Sequence, residues 1–558
     1  MALTTNYQSL RLFRILYSIS GRWSLILVSV FLFLLYGFTI FHTQSTVIDG
    51  QRTFWLQDDM MISMRYAWNL VHGNGLVWNP GGERVEGYSN FLWVLVMSVI
   101  HLLPLPSTLA SLPVLILNMA LAVMVLVLSA RLFKFLHPEA SLALPFMLLA
   151  LTLCYDIARW TIIGLETILQ TVIILWLLMR MLEEAIAHSP RPLTFFMAGM
   201  LGIVRVDGIV LGGILCLLGL ILNPSHWKKI ILLSLLIFIA PLANILFRVV
   251  YYGTPLPNTY YLKLTGWSLG ARLLPGIKYI AHFLFSYGVI AGFAIVGAVV
   301  SRNRRVVTLL ISGIPLIFYA IYVGGDDFGG ARLLAPWVPV LIIVAFSTPH
   351  VLGWDKLPIT YILSQGVLLV SIVLMAGFNF FSRLSYEAPY VHVGLTLQKL
   401  TFPETRIAVF PAGVLPYFAE RPAVDMLGKN DARISHLQAQ PGMNKPGHNK
   451  FDFNYSLGQL QPDIVVSTLN PTDIGDPKTI AQYTQGDNSY QGKLYLDPTF
   501  QTQYAGSLIF IENIPLYIRD NSPERVRLMT GRCKRVSDQN LVKLGFNIYC
   551  WPLLSEQP

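Results

Sequence analysis

Charged residues are scarce in this chain of 558 residues. Asp, Glu, Lys and Arg together make up only 13% of it, whereas about a quarter is usual for a soluble domain. Hydrophobic residues make up 54%, and the mean hydropathy is +0.57. This balance excludes an ordinary soluble protein and indicates a chain for which a lipid bilayer is the solvent.

Several short motifs of well-known enzyme classes are absent as well. The sequence has no CxxC pair, no Walker loop and no GxSxG elbow. It also shows no internal repeat, no low-complexity tract and no heptad pattern. The chemistry must therefore be sought in combinations of polar residues rather than in one short motif.

Acidic residues are outnumbered by basic ones, and the formal net charge is +10. Such a charge can indicate a nucleic-acid partner. Here, however, several Arg and Lys residues lie in short turns between apolar runs, where they determine membrane topology. We therefore expect a lipid bilayer with anionic head groups, and no nucleic acid, as the partner of this charge.

The first apolar run covers residues 23–41 and is long enough to span a bilayer. Arg11, Arg14 and Arg22 precede it, and no small-residue cleavage site follows it. The run is therefore predicted to be a signal anchor with its N-terminus in the cytoplasm.

Further apolar runs follow, and the turns between them carry asymmetric charge. The basic or mixed turns, which we place in the cytoplasm, are 131–137, 180–191, 228–229, 302–305 and 355–356. The runs themselves lie at about 110–134, 141–157, 165–183, 193–204, 207–222, 229–250, 276–300, 306–323, 333–350 and 359–380.

Two places resist a simple count of crossings. Residues 88–104 are apolar, but counting them as a full crossing would invert every later turn, so they are predicted to form an interfacial or re-entrant helix. Residues 193–204 and 207–222 are short for two crossings and are predicted to form one broken helix. About eleven transmembrane helices result, with the C-terminal part outside the cytoplasm.

The predicted fold is an α-helical polytopic membrane protein with a C-terminal soluble α/β domain. Residues 1–383 form the transmembrane domain, with a first outer loop at 43–109. Residues 384–558 form an extracytoplasmic, periplasmic domain, because short strand-like runs there alternate with Gly-, Pro- and Asn-rich turns. These runs lie at 406–410, 463–468 and 507–511. The predicted location is a bacterial inner membrane.

Two adjacent carboxylates, Asp58 and Asp59, follow the first apolar run. Such a pair at a membrane surface can deprotonate an acceptor hydroxyl or hold a divalent cation. The alternative is a solvated acidic loop without a catalytic role. The sequence specifies no cofactor and leaves the metal open, with a divalent cation as the candidate.

More polar clusters lie on the same predicted side of the membrane. Ionisable residues at membrane depth are costly and usually mark a pathway or a site. An arginine there can clamp a lipid-linked phosphate, although a single arginine is more often a snorkelling anchor. The clusters lie at 164–167, 205–208, 248–263 and 324–332.

In combination, these segments resemble one family of membrane glycosyltransferases. They resemble the terminal β-(1→2)-arabinofuranosyltransferases of mycobacterial cell walls and their bacterial relatives, which share the GT-C architecture. The matching motifs are Asp58-Asp59, Arg65-Tyr66-Ala67, GNGLVWNP from Gly73, RVEGYSN from Arg84, GLET from Gly164, RxDG from Arg205, YYG from Tyr251, PNT from Pro257, GGD from Gly324, VDMLG from Val424 and GHxK from Gly447.

The resemblance implies a donor such as polyprenyl-phosphate arabinofuranose and a glycan, lipid or glycoprotein acceptor. It also implies that a first-loop aspartate, Asp58 or Asp59, is the central catalytic carboxylate, and it slightly favours Asp58. Two departures bear on the sugar and the acceptor. Val206 stands where relatives commonly have Pro, and Asp327 adds an extra acid.

Candidate roles follow from the clusters and the resemblance together. The candidates for binding the donor phosphate are Arg205, Arg248, Lys263 and Arg332. The candidates for binding substrate are Arg65, Tyr66, Glu86, Tyr88, Glu166, Asp207, Tyr252, Asn258, Asp326, Asp327 and His448.

Two other functions remain open at this point. A transporter or flippase of a polar or lipid-linked substrate also places charges at broken helices, but transporters usually have related halves, and none is visible. A non-catalytic assembly factor with a degenerate site is the other, and the full set of acidic residues argues mildly against it.

Only four cysteines occur in the chain. Cys154 and Cys216 lie in apolar runs and are expected to be packing residues. Cys533 and Cys550 lie in the C-terminal part, which the topology places in an oxidising compartment. We therefore predict that they form a disulfide.

Overall fold

The computed structural model describes residues 4–326, 328–376, 386–443, 445–469, 483–486, 489–529, 532–535 and 548–551. The chain folds as two compact units of discontinuous sequence. The first unit comprises Met1–Thr43, Leu115–Ala243 and Gly276–Arg383. The second comprises Gln44–Val114, Asn244–Pro275 and Leu384–Pro558. The boundary at residue 383 stays a prediction, because a membrane boundary need not follow these units.

Helices dominate the chain up to residue 376. Several begin with a proline in their first turn, where the missing N–H is not needed for helical hydrogen bonding. The helices are α1 Thr4–Thr43, α2 Asp58–Val71, α3 Phe91–His101, α4 Ser111–Leu136, α5 Leu144–Leu153, α6 Tyr155–Ile162, α7 Thr167–Ile186, α8 Pro192–Val204, α9 Gly208–Leu222, α10 Trp227–Ser234, α11 Ile239–Tyr252, α12 Asn258–Leu264, α13 Leu269–Ser301, α14 Arg304–Ile311, α15 Ile314–Val323, α16 Val338–Val351 and α17 Pro358–Ala376.

Within the described residues, six helical stretches are long and apolar enough to cross a membrane. A seventh is the pair α5 and α6 if its 50° bend lies within one span. The chain is thus a multi-pass membrane protein, and the count of about eleven helices stays a prediction. The six stretches are Arg22–Thr43, Ser111–Leu136, Pro224–Tyr252, Leu269–Ser301, Arg304–Val323 and Pro358–Met375.

The two segments that resist a simple count of crossings, 88–104 and 193–222, do not form long continuous helices. Helix α3 has 11 residues, which at 1.5 Å per residue is too short to cross a hydrocarbon core of about 30 Å. Helices α8 and α9 are separate, and the residues between them start at Arg205, whose backbone is extended. The break between the two apolar runs thus lies where the sequence predicts it, but the prediction of one broken helix is wrong. Helices α8 and α9 pack against each other, since a Cβ on Gly212 would lie 2.8 Å from the carbonyl oxygen of Ala198.

Shorter elements form the rest of the second unit. Strands β1 Ser45–Ile48 and β2 Gln51–Phe54 form an antiparallel hairpin before α2. Beyond residue 386 the helices are α18 Ala388–Leu400, α19 Val414–Ala419, α20 Ala432–Ser435, α21 Ser489–Leu496, α22 Pro498–Gln503 and α23 Glu524–Leu528, with a π-helix at Asn454–Gln459. The strands there are β3 Ile407–Val409, β4 Ala423–Asp425, β5 Ile464–Val466, β6 Leu508–Ile511, β7 Ile514–Ile518, β8 Arg532–Arg535 and β9 Ile548–Trp551.

These seven strands form one mixed sheet in the order β4-β3-β5-β7-β6-β9-β8. Strand β3 runs parallel to both neighbours, and β6 runs parallel to β9, while the other pairs are antiparallel. The three strand-like runs predicted at 406–410, 463–468 and 507–511 contain β3, β5 and β6. A buried apolar cluster that includes Phe410, Met426 and Tyr517 packs on the sheet, and it positions the turn after β4 that carries part of the candidate site.

Candidate active site

Asp58 is the first residue of α2, and its side chain is only 5% exposed. Its Oδ1 atom accepts hydrogen bonds from the backbone N–H groups of Gly413 at 3.1 Å and Val414 at 2.8 Å. Gly413 is needed at this contact, because a Cβ there would lie 1.8 Å from the carbonyl oxygen of Asp58. The chain before α19 thus holds one oxygen of the carboxylate at a fixed position.

Burial changes the proton affinity of Asp58. Removal of the carboxylate from water raises its pKa to about 6, although Lys429 and the two backbone hydrogen bonds act in the opposite direction. A carboxylate with a pKa near neutrality is suited to accept a proton during a reaction.

Asp59 lies in the first turn of α2 and forms an ion pair with Lys429. Both side chains are 19% exposed. Burial alone would lower the pKa of Lys429, but Asp59 and Asp58 together raise it above its ordinary value. Lys429 is therefore a protonated ammonium group beside the two acids.

The turn that carries Lys429 is tightly built. Oδ1 of Asp425 accepts hydrogen bonds from the N–H groups of Leu427 and Gly428, and its Oδ2 accepts from the backbone and side-chain amides of Asn430. Gly428 has φ +80°, a conformation that favours glycine.

Asn258 lies in segment 244–275 of the second unit and forms hydrogen bonds to the same turn. Its Nδ2 donates to the carbonyls of Gly428, Lys429 and Asp431 at 2.8–3.2 Å, and its Oδ1 accepts from Ser435 at 2.6 Å. All polar atoms of this predicted substrate-binding side chain are therefore engaged within the protein.

A second basic region lies close to this turn. The pKa of His448 falls to about 3 through burial and through the positive charges of Lys445, Lys429 and Lys263. A Cβ on Gly447 would contact the Lys263 side chain at 3.4 Å. The structure thus brings two predicted site residues, Lys263 and His448, to one place, and His448 is a neutral group there at pH 7.

Arg65 uses its guanidinium within the protein. It donates to the carbonyl oxygens of Trp78, Pro416 and Arg421 and to the side-chain oxygen of Asn79. The side chain is 5% exposed. It therefore ties the first loop to the chain around α19 rather than presenting its donors to a ligand.

Tyr66, Tyr88 and Tyr252 form a connected aromatic group beside it. The Tyr66 and Tyr88 rings meet edge to face with centroids 4.9 Å apart, and the hydroxyls of Tyr88 and Tyr252 lie 3.0 Å apart. The Tyr66 hydroxyl donates to the Val85 carbonyl at 2.6 Å. The three predicted residues thus come together and fix the course of the first loop.

Glu86 and Arg248 form a bidentate ion pair. Nε and Nη2 of Arg248 donate to the two carboxylate oxygens of Glu86 at 2.6 and 3.0 Å. The two side chains are 1% and 5% exposed. A buried pair of this geometry is charge-neutral and leaves little of Arg248 for a phosphate.

In the first unit, Glu166, Arg205 and Asp207 form another cluster. Arg205 donates to both oxygens of Asp207 and to one of Glu166, each at 2.9 Å. The cluster lies at the break between α8 and α9 and contains two acids and one base. The structure thus brings these three predicted residues together.

Arg332 and Asp326, also in the first unit, form an ion pair at 2.6 Å, and the guanidinium stacks over Phe328 at 4.4 Å from the ring centroid. Asp327 lies outside the described residues. Asp156 lies beside this segment, because its Oδ1 accepts a hydrogen bond from the backbone N–H of Ala331 at 2.8 Å.

The sequence did not single out Asp156 or Lys429. Asp156 lies at the end of the apolar run 141–157, where only a span is predicted, and the Tyr287 hydroxyl also donates to its carboxylate at 2.6 Å. Lys429 directly follows the motif Val424–Gly428, which was the available signal. Among the described residues, no group of three or more His, Cys, Asp or Glu side chains could hold a metal ion.

Comparisons with known proteins show which families and folds the chain resembles. A family model described as "Domain of unknown function (DUF8728)" matches residues 381–515. The terminal β-(1→2)-arabinofuranosyltransferase of Mycobacterium tuberculosis is 27% identical over 323 residues, which cover 50% of this chain and 51% of the relative. The enzyme of the same name from Corynebacterium glutamicum is 24% identical over 348 residues, which cover 54% of this chain and 50% of the relative. The chain spans about half the length of these curated relatives.

Solved structures share the fold at low identity. The oligosaccharyltransferase of Archaeoglobus fulgidus has a TM-score of 0.53 at 11% identity and covers 87% of this chain and 71% of its own. ArnT of Cupriavidus metallidurans in the apo state has a TM-score of 0.53 at 13% identity. The match covers 88% of this chain and 97% of the ArnT chain. The protein therefore shares the GT-C fold of these solved structures, and its predicted resemblance to the terminal β-(1→2)-arabinofuranosyltransferases is confirmed.

Proposed function

We propose that this protein is a membrane glycosyltransferase that transfers a sugar, arabinofuranose in particular, from a polyprenyl-phosphate donor to a hydroxyl of a cell-envelope glycan or glycoconjugate. The observation that carries the proposal is Asp58, a buried carboxylate with a pKa of about 6 in a loop that resembles the arabinofuranosyltransferases. The names of the relatives support the reaction class. No finding favours the transporter hypothesis.

In the proposed reaction, Asp58 accepts the proton of the acceptor hydroxyl. The hydroxyl oxygen attacks the anomeric carbon and forms the new glycosidic bond. The bond between that carbon and the phosphate oxygen breaks, and its electron pair leaves with the polyprenyl phosphate. Charge is balanced, because the departing phosphate gains the negative charge that Asp58 loses on protonation.

A lipid-linked phosphate is the proposed leaving group. The structure of AglB from Archaeoglobus fulgidus with an inhibitory peptide and a dolichol-phosphate supports this donor class, with a TM-score of 0.51 at 12% identity and coverage of 91% and 75%. A departing phosphate is stabilised by nearby cations.

Of the four predicted phosphate ligands, Arg205, Arg248 and Arg332 are ion-paired with carboxylates. Lys263 lies in the basic region around His448, where Lys429 and Lys445 also act. Because three lysines concentrate positive charge there, we favour Lys263 as a ligand of the donor phosphate.

The proposed location is a bacterial inner membrane with the N-terminus in the cytoplasm and the C-terminal part outside. The distribution of basic turns in the sequence supports this orientation. The acceptor would then be a component of the cell envelope on the outer face.

The experiment is a transfer assay with the purified protein in detergent and a panel of polyprenyl-phosphate sugars that differ only in the sugar. We expect glycosylated acceptor and released polyprenyl phosphate with the arabinofuranose donor. The proposal would be wrong if no donor in the panel yielded either product. Movement of lipid-linked sugar across proteoliposomes without transfer would instead support the transporter.

A further inference from the structure

Lys429 is a largely buried cation that contacts the acid pair of the first loop. Its ammonium forms an ion pair with Asp59, and its charge also acts on Asp58. The contact joins residues 370 positions apart in the chain. A surface ion pair of flexible side chains contributes little to stability, but this pair is largely buried, and its orientation is set by the elements on both sides.

The backbone at Lys429 is fixed before the side chain makes its contact. The carboxylate of Asp425 accepts four hydrogen bonds from the turn, and Asn258 donates to the Lys429 carbonyl at 2.8 Å. Asp431 closes the turn by accepting from Ile434 at 2.8 Å. Groups held in this way need little reorganisation during a reaction.

Gly428 adds to this arrangement. Its φ of +80° favours glycine, and a Cβ there would lie 2.6 Å from the Ile434 side chain. The turn therefore presents its lysine in one backbone conformation, directed at the N-terminus of α2. Hydrogen bonds from Gly413 and Val414 fix Asp58 from a separate segment, so both acids are held by groups outside their own helix.

We propose that Lys429 is a positioning residue of the transfer reaction, which holds Asp59 by an ion pair and maintains the negative charge of Asp58 at the acceptor hydroxyl. This inference rests on the proposed function. Lys429 acts through the two aspartates, whereas Asp58 is the group that contacts the acceptor.

The charged and titratable groups that interact with Asp58 in the described part of the chain come from three elements. Asp59 lies on the same helix, Lys429 on the turn, and Tyr390 on α18, with Tyr386 just before that helix. Burial raises the pKa of Tyr390. Tyr386 is 60% exposed, and a tyrosine is neutral at physiological pH even without burial. Asp59 and Lys429 therefore dominate the pH response of Asp58 in the working range.

The sign of the expected effect follows from these charges. Lys429 lowers the pKa of Asp58 against the effect of burial, so removal of its charge raises that pKa further. A rise from about 6 to about 7 is the size expected for loss of one nearby opposite charge. The ionised fraction of Asp58 at pH 6 then falls about five-fold, and at pH 9 it is almost unchanged.

The test compares Lys429→Met, Lys429→Arg and the control Arg433→Met in the full-length protein. Arg433 is a half-exposed cation four residues further along the chain. We expect the acid limb of the pH–rate profile to move upward by about one pH unit in K429M, with a similar rate at pH 9. K429R and R433M should keep the wild-type profile. An unchanged profile in K429M, or the same shift in K429R, would overturn the inference while leaving the proposed function intact.

A second measurement does not depend on activity. Carbodiimide labels protonated carboxyls, and mass spectrometry locates the label. We expect about five-fold more label on Asp58 at pH 7 in K429M than in the wild type and no increase in R433M. Equal labelling of K429M and the wild type would refute the role of Lys429, whether or not the wild type transfers sugar. Absence of sugar transfer by the wild type would refute the proposed function. If K429M does not fold, loss of the wild-type profile in folded K429R would overturn the inference.

Discussion

The carboxylate of Asp59 and the ammonium of Lys429 form an ion pair across 370 positions of the chain. Asp59 belongs to the first turn of α2, and Lys429 belongs to the turn that follows β4. The acid pair of the first loop is therefore completed by residues of the C-terminal part, within the second unit. Its electrostatics depend on that part as well as on the loop.

The buried pair of Glu86 and Arg248 should be structural. Arg248→Met would leave Glu86 buried without its partner, and loss of one member of such a pair costs about 3–5 kcal/mol in free energy of unfolding. The double variant E86L/R248M should lose less, because no lone charge remains. Thermal unfolding of the purified protein in detergent measures both.

The matched control for this prediction is Lys399→Met. Lys399 pairs with Asp49 at the surface, with both side chains more than half exposed, so the stability should change by no more than about 1 kcal/mol. An R248M variant with wild-type stability and a raised donor KM would contradict the prediction and make Arg248 a phosphate ligand.

Gly413→Ala should impair transfer by displacing the partners of Asp58. The new Cβ would lie 1.8 Å from the Asp58 carbonyl oxygen and 3.0 Å from the Ile62 nitrogen. These are backbone atoms that cannot rotate away, so the N–H donors of Gly413 and Val414 must shift. Loss of one hydrogen bond to a charged group costs about 1.5–3 kcal/mol, and we expect kcat to fall at least about ten-fold.

Gly270→Ala serves as the control for this change. Gly270 lies in α13, and a Cβ there would have nothing within 4 Å, so its transfer rate should match that of the wild type. Equal rates for G413A and the wild type would show that the contact with Asp58 does not matter for transfer.

The predicted disulfide gains support from strand register. Strands β8 and β9 are antiparallel, and Cys533 stands opposite Cys550. Residues opposite one another in such a pair have Cα atoms about 4.5–5.5 Å apart, which suits a disulfide. The side chains of these strands lie outside the described residues, so the bond stays a prediction. Thiol labelling of intact spheroplasts should label neither cysteine until the protein is denatured and reduced.

The same labelling also tests orientation. If both cysteines react without reduction, the disulfide is wrong. If they react only with reagents that enter the cytoplasm, the C-terminal part does not lie outside the cell. Cys154 and Cys216 are buried in the first unit. Replacement of these two by Ser leaves Cys533 and Cys550 as the cysteines that can be labelled.

Local patterns were sufficient to find the six long apolar stretches and the acid pair. Long apolar runs predict helices through hydropathy alone, and two adjacent acids after a span are visible in the sequence. The partner of Asp59 was not visible, because a contact across 370 positions leaves no local pattern. Arg65 shows the opposite case. An arginine in a motif-rich loop indicates a ligand contact, yet the fold uses its donors for backbone carbonyls of Trp78 and Arg421.

Charge pairing also could not be read from the sequence. Arg205, Arg248 and Arg332 each carry the positive charge of a phosphate ligand and are predicted to lie on the same side of the membrane. The fold pairs each of them with an acid, and in the case of Arg248 and Glu86 the two residues lie 162 positions apart. Only side-chain geometry decides whether a membrane arginine is neutralised within the protein.

Replacement of Asp58 tests whether this carboxylate accepts the proton of the acceptor hydroxyl. Purified wild type, Asp58→Asn and the control Asp49→Asn are assayed with polyprenyl-phosphate arabinofuranose and a glycan acceptor. Asp49 is an exposed surface acid. We expect D58N to lose at least about a hundred-fold in rate, with unchanged thermal unfolding, while D49N matches the wild type. A D58N variant that is folded and transfers arabinofuranose at the wild-type rate would show that Asp58 is not the proton acceptor.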